Sequence, residues 1–370
     1  MSMLPFTRPT LDEEEFRAVQ EVLQSGWITS GPRVIELEQK LGEYIGGGVD
    51  VRLFNSATAA LEAVLVARGI GPDDEVIVPA MSFVASANVV IRVGATPVFV
   101  DVGLESRNLD ADGVKSAITE KTRAIIPVHF AGLPVDMTPI YELAVSRGLL
   151  VLEDAAQAIG TQYQGQQIGS FGNPASFSFH PNKNMTTIEG GAIASSDSAL
   201  IRQLESIRFH GISQGDEGEM MVEAWGGKMN LPDVNATIGL SQLKKLDGFN
   251  AKRRVLADRY YKQMPRHPLL VLPADAPGHS WHMFCVCLDF ESMGKSRDDI
   301  LETFKAREII LGMHYPAMHL FGLYRQLGYG PGDFPAAEQI GQQTFTLPLF
   351  PAMTIADVDH VAEVFHQLLA

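Results

Sequence analysis

The sequence predicts an α/β protein whose mixed, mostly parallel sheet is covered by helices on both faces and is followed by a smaller α+β section. Short apolar runs alternate with helical segments through the first half of the 370 residues, as in parallel sheets that are buried on both faces. A long helical stretch at residues 234–264 then leads into the smaller section. We therefore expect a large domain at residues 1–250 and a small one at 251–370, against which the N-terminal segment could pack.

The predicted elements follow one another in a regular order. Thr10 to Glu13 fits a capping box, which starts a helix that ends at Gly26. Strands are expected at residues 51–54, 75–78, 97–102, 123–128, 149–152, 175–179, 191–195 and 283–288. Helices are expected at residues 33–45, 59–67, 85–93, 111–118, 138–147, 297–306 and 355–368. Residues 211–225 are polar and aperiodic, which predicts a mobile surface loop.

Charge and composition argue against several classes of protein. There are 29 basic and 44 acidic residues, a net charge of −15, whereas binding to nucleic acid needs a basic surface. The longest apolar runs are strand-sized, well short of the ~20 residues of a membrane helix. Residues 1–10 do not resemble a secretory signal. We expect a cytoplasmic protein that has neither nucleic acid nor membrane as a partner.

Cys285 and Cys287 are the two cysteines of the chain. They lie two positions apart in a predicted strand, so both side chains should face the same way. A metal site would need further cysteines or histidines at set spacings. We therefore interpret them as buried thiols and expect no metal.

Three polar segments follow predicted strands, where open α/β sheets bind their ligands. Residues 55–60 form a small polar turn before a helix, which suits an anion, although a simple helix cap would look the same. Asp154 ends a buried strand, where a carboxylate needs a partner, but it too could be a cap. Lys183 lies between two apolar strands and could be a solvated charge. Together, the three segments meet the needs of pyridoxal phosphate.

The chemistry of this cofactor explains each residue type. A lysine amine forms a Schiff base with the aldehyde and then carries the proton between substrate and cofactor, which requires a partly desolvated amine. A carboxylate paired with the pyridine nitrogen keeps the ring an effective electron sink. Turn amides hold the phosphate, and an aromatic side chain can stack on the ring.

These residues, in this order, resemble the DegT/StrS sugar aminotransferases, which are fold-type I pyridoxal phosphate enzymes. The resemblance covers nearly the whole chain and implies their fold, a large cofactor-binding domain with a smaller C-terminal α+β domain. Its most specific segments are residues 153–157, 178–184 and 189–191, with further matches at 25–32, 55–61, 74–85, 94–101, 314–316 and 347–351.

The resemblance also implies roles for individual residues. Lys183 would form the Schiff base, and Asp154 would pair with the pyridine nitrogen. The other cofactor contacts would be Gln157 beside the phenolic oxygen, Phe83 stacked on the ring, and the amides of Ala57 and Thr58 with the hydroxyl of Ser178 on the phosphate. The positions that match the sugar pocket are Thr29, His180, His314 and Tyr315.

One segment of the resemblance implies a homodimer with shared active sites. In the family, the neighbouring subunit completes the site with a segment that corresponds here to residues 226–233. Lys228 and Asn230 are therefore candidate cofactor contacts from the partner subunit. Gly227 stands where many relatives have an aromatic residue, so that contact differs here.

The implied reaction transfers an amino group from L-glutamate to a nucleotide-linked keto-sugar and releases 2-oxoglutarate. The 4-keto-sugar enzymes are closest in appearance, including those that make UDP-4-amino-4-deoxy-L-arabinose or 4-amino-4,6-dideoxyhexoses, and the 3-keto enzymes stay open. Related sugar dehydratases carry a histidine in place of the cofactor lysine, so Lys183 favours a transaminase. A pyridoxal phosphate enzyme of another reaction type and a non-catalytic sensor are the alternatives. A nicotinamide dehydrogenase is disfavoured, since no G-x-G-x-x-G turn follows an early strand.

Overall fold

The computed structural model describes residues 3–215, 217–222 and 224–370. Its helices are α1 (Glu13–Ser25), α2 (Pro32–Ile45), α3 (Ala57–Ala67), α4 (Ala85–Arg92), α5 (Ala111–Ala117), α6 (Met137–Arg147), α7 (Ser198–Ile207), α8 (Asp233–Gln263), α9 (Arg297–Lys305), α10 (Gly322–Arg325), α11 (Pro335–Gln343) and α12 (Ile355–Leu368). Within these residues, none of the helices combines the length and the apolar character needed to span a bilayer.

The strands follow the same numbering in chain order. They are β1 (Asp50–Phe54), β2 (Glu75–Pro79), β3 (Thr96–Val100), β4 (Thr122–Ile125), β5 (Leu150–Val151), β6 (Glu153–Asp154), β7 (Gln162–Tyr163), β8 (Gln166–Gln167), β9 (Ala175–Ser178), β10 (Gly191–Ser195), β11 (Ile212–Gln214), β12 (Met220–Val222), β13 (Leu270–Val271), β14 (Phe284–Leu288) and β15 (Thr344–Leu347).

Strands β1 to β6, β9 and β10 form one mixed sheet, called here the large sheet. One half has the order β3-β2-β4-β5 with all strands parallel. The other half has the order β6-β9-β10-β1, in which β6 and β9 are parallel and β10 is antiparallel to both neighbours. A bridge between Val128 and Asp154 joins the halves where β5 runs into β6. The predicted mixed, mostly parallel sheet is confirmed.

Burial on both faces explains why the strands of this sheet are apolar throughout. In β2, Val76 and Val78 belong to the same core cluster as residues of α3 and α4. Ile77 lies between them in sequence, faces the other way and packs with residues of α5 and α6. Successive side chains of a strand point to opposite faces, so a strand covered by helices on both sides has no polar face.

Strands β13, β14 and β15 form an antiparallel sheet, called here the small sheet. Cys285 and Cys287 in β14 are free, buried and part of one core cluster, as predicted. Phe284 and Val286 alternate with them and lie in the other core, with α9 and α12. The small sheet therefore packs between its own helices and the large sheet.

The N-terminal segment lies against the part of the chain that carries the small sheet. The backbone N–H of Leu4 donates to the carbonyl of Glu308 at 2.8 Å, and the N–H of Leu349 donates to the carbonyl of Phe6 at 3.1 Å. The expected boundary at residue 250 falls within α8. The division into residues 1–250 and 251–370 therefore stays a prediction.

Three local predictions were wrong. The capping box of α1 is formed by Asp12 and Glu15 rather than by Thr10 and Glu13, since residues 10–15 contain both patterns. The predicted strand at residues 123–128 ends at Ile125, because a proline at position 127 cannot donate to a ladder.

The third correction concerns residues 211–225, where a loop was expected. Residues 216 and 223 lie outside the described part of the chain. The described residues of this stretch include β11 and β12, which pair with each other in antiparallel register. Strands of three residues are too short to leave a readable alternation in the sequence.

Helix α8 is tied to the small sheet through a buried arginine. The side chain of Arg253 is almost completely buried, and its Nη1 donates to the carbonyls of Trp281, His282 and Leu349 at 3.4, 3.1 and 2.8 Å. Burial lowers the pKa of its guanidinium to about 10. Arg253 thus satisfies backbone groups that would otherwise be buried without partners.

Replacing Arg253 with alanine should lower the free energy of unfolding by about 3 kcal/mol, because three buried carbonyls lose their donor. The matched control is Arg254→Ala, one position along α8. It removes an exposed ion pair with Asp275, 2.7 Å away, and should cost less than about 1 kcal/mol. Urea unfolding followed by circular dichroism measures both, and equal losses would contradict the prediction.

Candidate active site

The direction of the strands brings the three predicted segments to one edge of the large sheet. Strands β1, β6 and β9 end at this edge, and the antiparallel β10 begins there. Their ends surround a cavity of about 460 Å³. Residues that line the cavity include Ser56, Ala57, Thr58, Ser82, Phe83, Asp154, Ala156, Gln157, Ser178, His180, Asn182, Lys183, Glu189, Gly190, His314 and Tyr315.

The start of α3 forms one wall of the cavity. The hydroxyl of Ser56 caps the helix by accepting from the N–H of Ala59 at 3.1 Å. Ala57 and Thr58 are the first helical residues, and their amides have no acceptor within the helix. A Cβ on Gly191 would lie 2.2 Å from the nitrogen of Ala57, so glycine is what lets β10 approach this turn. The turn therefore contains a helix cap, and the free amides of Ala57 and Thr58 beside it also suit an anion.

Asp154 is buried at the carboxyl end of β6, with only 5% of its surface exposed. One oxygen accepts from the hydroxyl of Ser86 at 2.6 Å, and the other accepts from the N–H of Ala156 at 3.1 Å. These two bonds orient the carboxylate and leave capacity for a further donor. The side chain can therefore hold a protonated ring nitrogen in the cavity.

Lys183 follows β9 in the wall of the same cavity. The backbone N–H of Lys183 donates to the carbonyl of His180 at 2.9 Å, which forms a tight turn. Burial lowers the pKa of its amine from 10.5 to about 8, and the negative charge of Asp154 partly offsets this shift. The lysine is therefore not a solvated charge, and it shares a cavity with the carboxylate.

A second group of lining residues forms the sides of the cavity. Phe83 is 53% exposed, and its ring lies 5.8 Å from the ring of Tyr315, centroid to centroid. The side-chain oxygen of Gln157 accepts from the N–H of Ala131 at 2.7 Å. Its amide nitrogen is then the group that can donate to a ligand.

The other wall of the cavity carries histidines. Nδ1 of His314 lies 2.7 Å from the hydroxyl of Thr346. Burial lowers the pKa of His314 to about 4, helped by the positive charges of Lys183 and Arg107, so its imidazole is neutral at pH 7. His180 lies 3.9 Å from the carboxylate of Glu189. Polar side chains thus surround the lysine.

Three of the predicted site residues are not among the described residues that line this cavity. Thr29 accepts from the N–H of Asp233 through its carbonyl. The amine of Lys228 donates to the side-chain oxygen of Asn230 at 2.6 Å and lies 4.6 Å from the ring of Phe209. Within a single chain, these residues form a polar surface outside the cavity.

Sequence reasoning missed Ser86, Asn182 and Glu189. Ser86 lies one turn after Phe83, and its hydroxyl bonds the carboxylate of Asp154, 68 positions along the chain. The sequence feature that could have indicated Ser86 is its position after β2, because the carboxyl end of β2 lies at the same edge of the sheet as that of β6. Which side chain of that helical turn points inward depends on the packing of α4.

A family model described as the DegT/DnrJ/EryC1/StrS aminotransferase family matches residues 9–366. The chain belongs to this family. It is a pyridoxal-phosphate-dependent sugar aminotransferase.

Solved structures of sugar aminotransferases are similar to this chain over almost its full length. DesV from S. venezuelae, in complex with a ketimine intermediate, is 33% identical, with a TM-score of 0.90 and coverage of 98% of this chain and 99% of that one. Helicobacter pylori PseC, an aminotransferase involved in the biosynthesis of pseudoaminic acid, is 30% identical, with a TM-score of 0.92 and coverage of 100% and 99%. Spr1654 from Streptococcus pneumoniae, in its PMP form, is 31% identical, with a TM-score of 0.92 and coverage of 98% of both chains.

Pyridoxal phosphate is therefore the cofactor, since similar structures hold it in its PLP and PMP forms. The cavity has the groups that this cofactor needs. The start of α3 suits the phosphate, Asp154 suits the ring nitrogen, and Phe83 presents an open aromatic face. Lys183 supplies an amine whose lowered pKa favours the reactive form.

The lowered pKa of Lys183 predicts how cofactor-free protein reacts with pyridoxal phosphate. A pKa of about 8 leaves about one tenth of the amine neutral at pH 7, and only the neutral amine attacks the aldehyde. The rate should rise about tenfold from pH 6 to pH 7 and level off above pH 8. Stopped-flow absorbance measures it, and a rate that keeps rising to pH 10 would rule out the lowered pKa.

Asp154→Asn should shift this profile to lower pH, because the charge of Asp154 raises the pKa of Lys183. The matched control is Asp110→Asn, which changes the cap of α5 and should leave the profile in place.

Proposed function

We propose that the enzyme transfers an amino group from L-glutamate to a nucleotide-linked keto-sugar, with a 4-keto-sugar as the preferred acceptor. The products are an amino-sugar nucleotide and 2-oxoglutarate. The observation that carries this proposal is that Lys183 and Asp154 line one cavity together with the free amides at the start of α3. This arrangement supports a role for both residues at a single cofactor.

The roles of the residues follow from their positions. Bound pyridoxal phosphate supplies an electron sink for the carbon that loses its proton. Lys183 would hold the cofactor and, as the base of the site, would carry the proton from the substrate carbon to C4′ of the cofactor. Asp154 keeps the ring nitrogen protonated. The amides of Ala57 and Thr58 with the hydroxyl of Ser178 bind the phosphate.

Further residues orient the ring and the substrate in this proposal. Phe83 would cover one face of the ring, and Gln157 would lie beside its phenolic oxygen. His314 is neutral and can accept or donate a hydrogen bond to a sugar hydroxyl. The other proposed sugar contacts are Thr29, His180 and Tyr315.

We propose that a second copy of the chain completes the site with Lys228 and Asn230. Both lie outside the cavity of their own chain, and Asn230 donates to the hydroxyl of Ser30. Close to Ser30, the side chains of Trp27 and Ile28 are 59% and 46% exposed. Large exposed apolar side chains beside a polar loop favour a surface that another chain covers. Lys228 would add positive charge for the anionic ligands.

The dehydratase and the non-catalytic sensor, which the sequence alone left as alternatives, fit the site less well than an aminotransferase does. Lys183 favours transamination over dehydration, because its amine can carry the proton from the substrate carbon to the cofactor. The lowered pKa of Lys183 and the oriented carboxylate of Asp154 favour a catalyst over a sensor, since a sensor does not need a reactive amine.

The first half of the reaction tests this proposal directly. L-glutamate added to the cofactor-loaded enzyme should convert the lysine-bound form of the cofactor to pyridoxamine phosphate, as seen by absorbance. Lys183→Ala should slow turnover by about 10⁴-fold or more. Lys115→Ala, an exposed lysine of α5, is the matched control and should react normally.

The second half identifies the acceptor. The amine-loaded enzyme is offered 4-keto and 3-keto nucleotide sugars and a keto-sugar without a nucleotide, and products are identified by mass. We expect amination of a 4-keto nucleotide sugar. If glutamate is converted but no sugar is aminated, the proposed acceptor is wrong, while the transaminase activity itself is supported.

Shared active sites predict complementation between two inactive variants. Lys183→Ala and Asn230→Ala homodimers should each be impaired. Mixed dimers should regain activity, because one of their two sites combines Lys183 of one chain with Asn230 of the other. Activity after co-refolding is the measurement, with Lys183→Ala mixed with Asp154→Asn as the control that should stay inactive. No recovery in the first mixture would place Asn230 in the site of its own chain.

A further inference from the structure

A hydrogen-bonded group of Tyr141, Glu153 and His129 adjoins Asp154 without lining the cavity. Glu153 directly precedes Asp154 in β6, so the two carboxylates point to opposite faces of the sheet. Glu153 and His129 are completely buried. Nε2 of His129 lies 3.0 Å from Oε2 of Glu153, and the hydroxyl of Tyr141, on α6, donates to Oε1 at 2.6 Å.

The hydrogen bonds indicate the charge of this group. The backbone N–H of Val135 donates to Nδ1 of His129 at 3.0 Å, so the proton of a neutral imidazole lies on Nε2 and faces Glu153. Burial raises the pKa of Tyr141, and Glu153 raises it further, so the hydroxyl keeps its proton. Each oxygen of Glu153 thus accepts from a neutral donor, as an ionised carboxylate does.

Among the residues that the structure describes, no lysine or arginine lies within ion-pair distance of Glu153. The group within ion-pair distance of Glu153 is His129, whose Nδ1 accepts the N–H of Val135 and therefore carries no proton. A buried charge without an opposite charge is costly unless a nearby cation offsets it. In the proposed function, the protonated ring nitrogen of the cofactor would be such a cation, because Asp154 would bind it from the adjacent position of β6.

The same segment also fixes the backbone of Asp154. The N–H of His129 donates to the carbonyl of Asp154 at 3.1 Å, and the N–H of Asp154 donates to the carbonyl of Pro127 at 2.8 Å. The side chain of His129 bonds Glu153, so one residue holds both the strand end and the buried charge.

We propose that Tyr141, Glu153 and His129 are positioning residues that act on the cofactor through Asp154. They hold the end of β6 in place, and the charge of Glu153 adds to that of Asp154 in stabilising the protonated form of the bound cofactor. This inference rests on the proposed function, since it concerns the cofactor bound between Lys183 and Asp154.

The test is the pH titration of the visible absorbance of the cofactor attached to Lys183. Glu153→Gln removes the charge and keeps the shape of the side chain, so the titration midpoint should fall by about 0.5 pH unit. The control is Glu38→Gln, which changes a buried carboxylate paired with Arg208 away from the cavity. The control should lose thermal stability and keep the midpoint of the wild type.

A Glu153→Gln midpoint equal to that of the wild type would overturn the inference, whatever its stability. If this variant does not fold, Tyr141→Phe replaces it. Without the hydroxyl of Tyr141, the charge of Glu153 is less dispersed by hydrogen bonds, so the titration midpoint should rise. The control is Tyr260→Phe, which loses a buried hydroxyl bound to Pro348 and should leave the midpoint unchanged. An unchanged or lower midpoint in Tyr141→Phe would also overturn the inference. Wild-type protein without the lysine-bound absorbance would refute the proposed function itself, which separates the two failures.

Discussion

The site depends on the direction of the strands in the large sheet. Strands β1, β6 and β9 are parallel, so their carboxyl ends meet at one edge, and each end delivers one polar segment to the cavity. The antiparallel β10 starts at that edge with Gly191, whose missing side chain lets the strand approach the turn at Ala57. A single reversed strand in this sheet would move its segment to the far edge, about 15 Å away for a strand of five residues.

Burial then converts ordinary residue types into reactive ones. Lys183 and His314 share one cavity, and burial lowers the pKa of both, so an amine and an imidazole are available in neutral form at moderate pH. The carboxylate of Asp154 is oriented by the hydroxyl of Ser86 and by an amide of its own turn. The surroundings of the cavity thus set the protonation of its lysine and its histidine.

Two buried arginines donate to segments that flank or form the small sheet, and one of them reaches the wall of the site. Arg253 donates to three backbone carbonyls. Arg107 donates to the carbonyl of His314 at 3.0 Å and to the hydroxyl of Thr344 at 2.8 Å. Neither uses a carboxylate in these bonds, so the arginines serve as donors to backbone and hydroxyl groups rather than as ion pairs. The wall that carries His314 is held to the rest of the molecule in this way.

The sequence by itself determined the class of fold and the chemistry of the site. Continuous apolar strands such as β2 predict burial on both faces, and Lys183 and Asp154 stand out as polar residues after such strands. The hydrogen bond of Ser86 to Asp154, the hairpin of β11 and β12, and strand β15 were decided only by the tertiary structure. Periodicity records which face of an element is buried, whereas these features depend on how helices and strands far apart in the chain are oriented against each other.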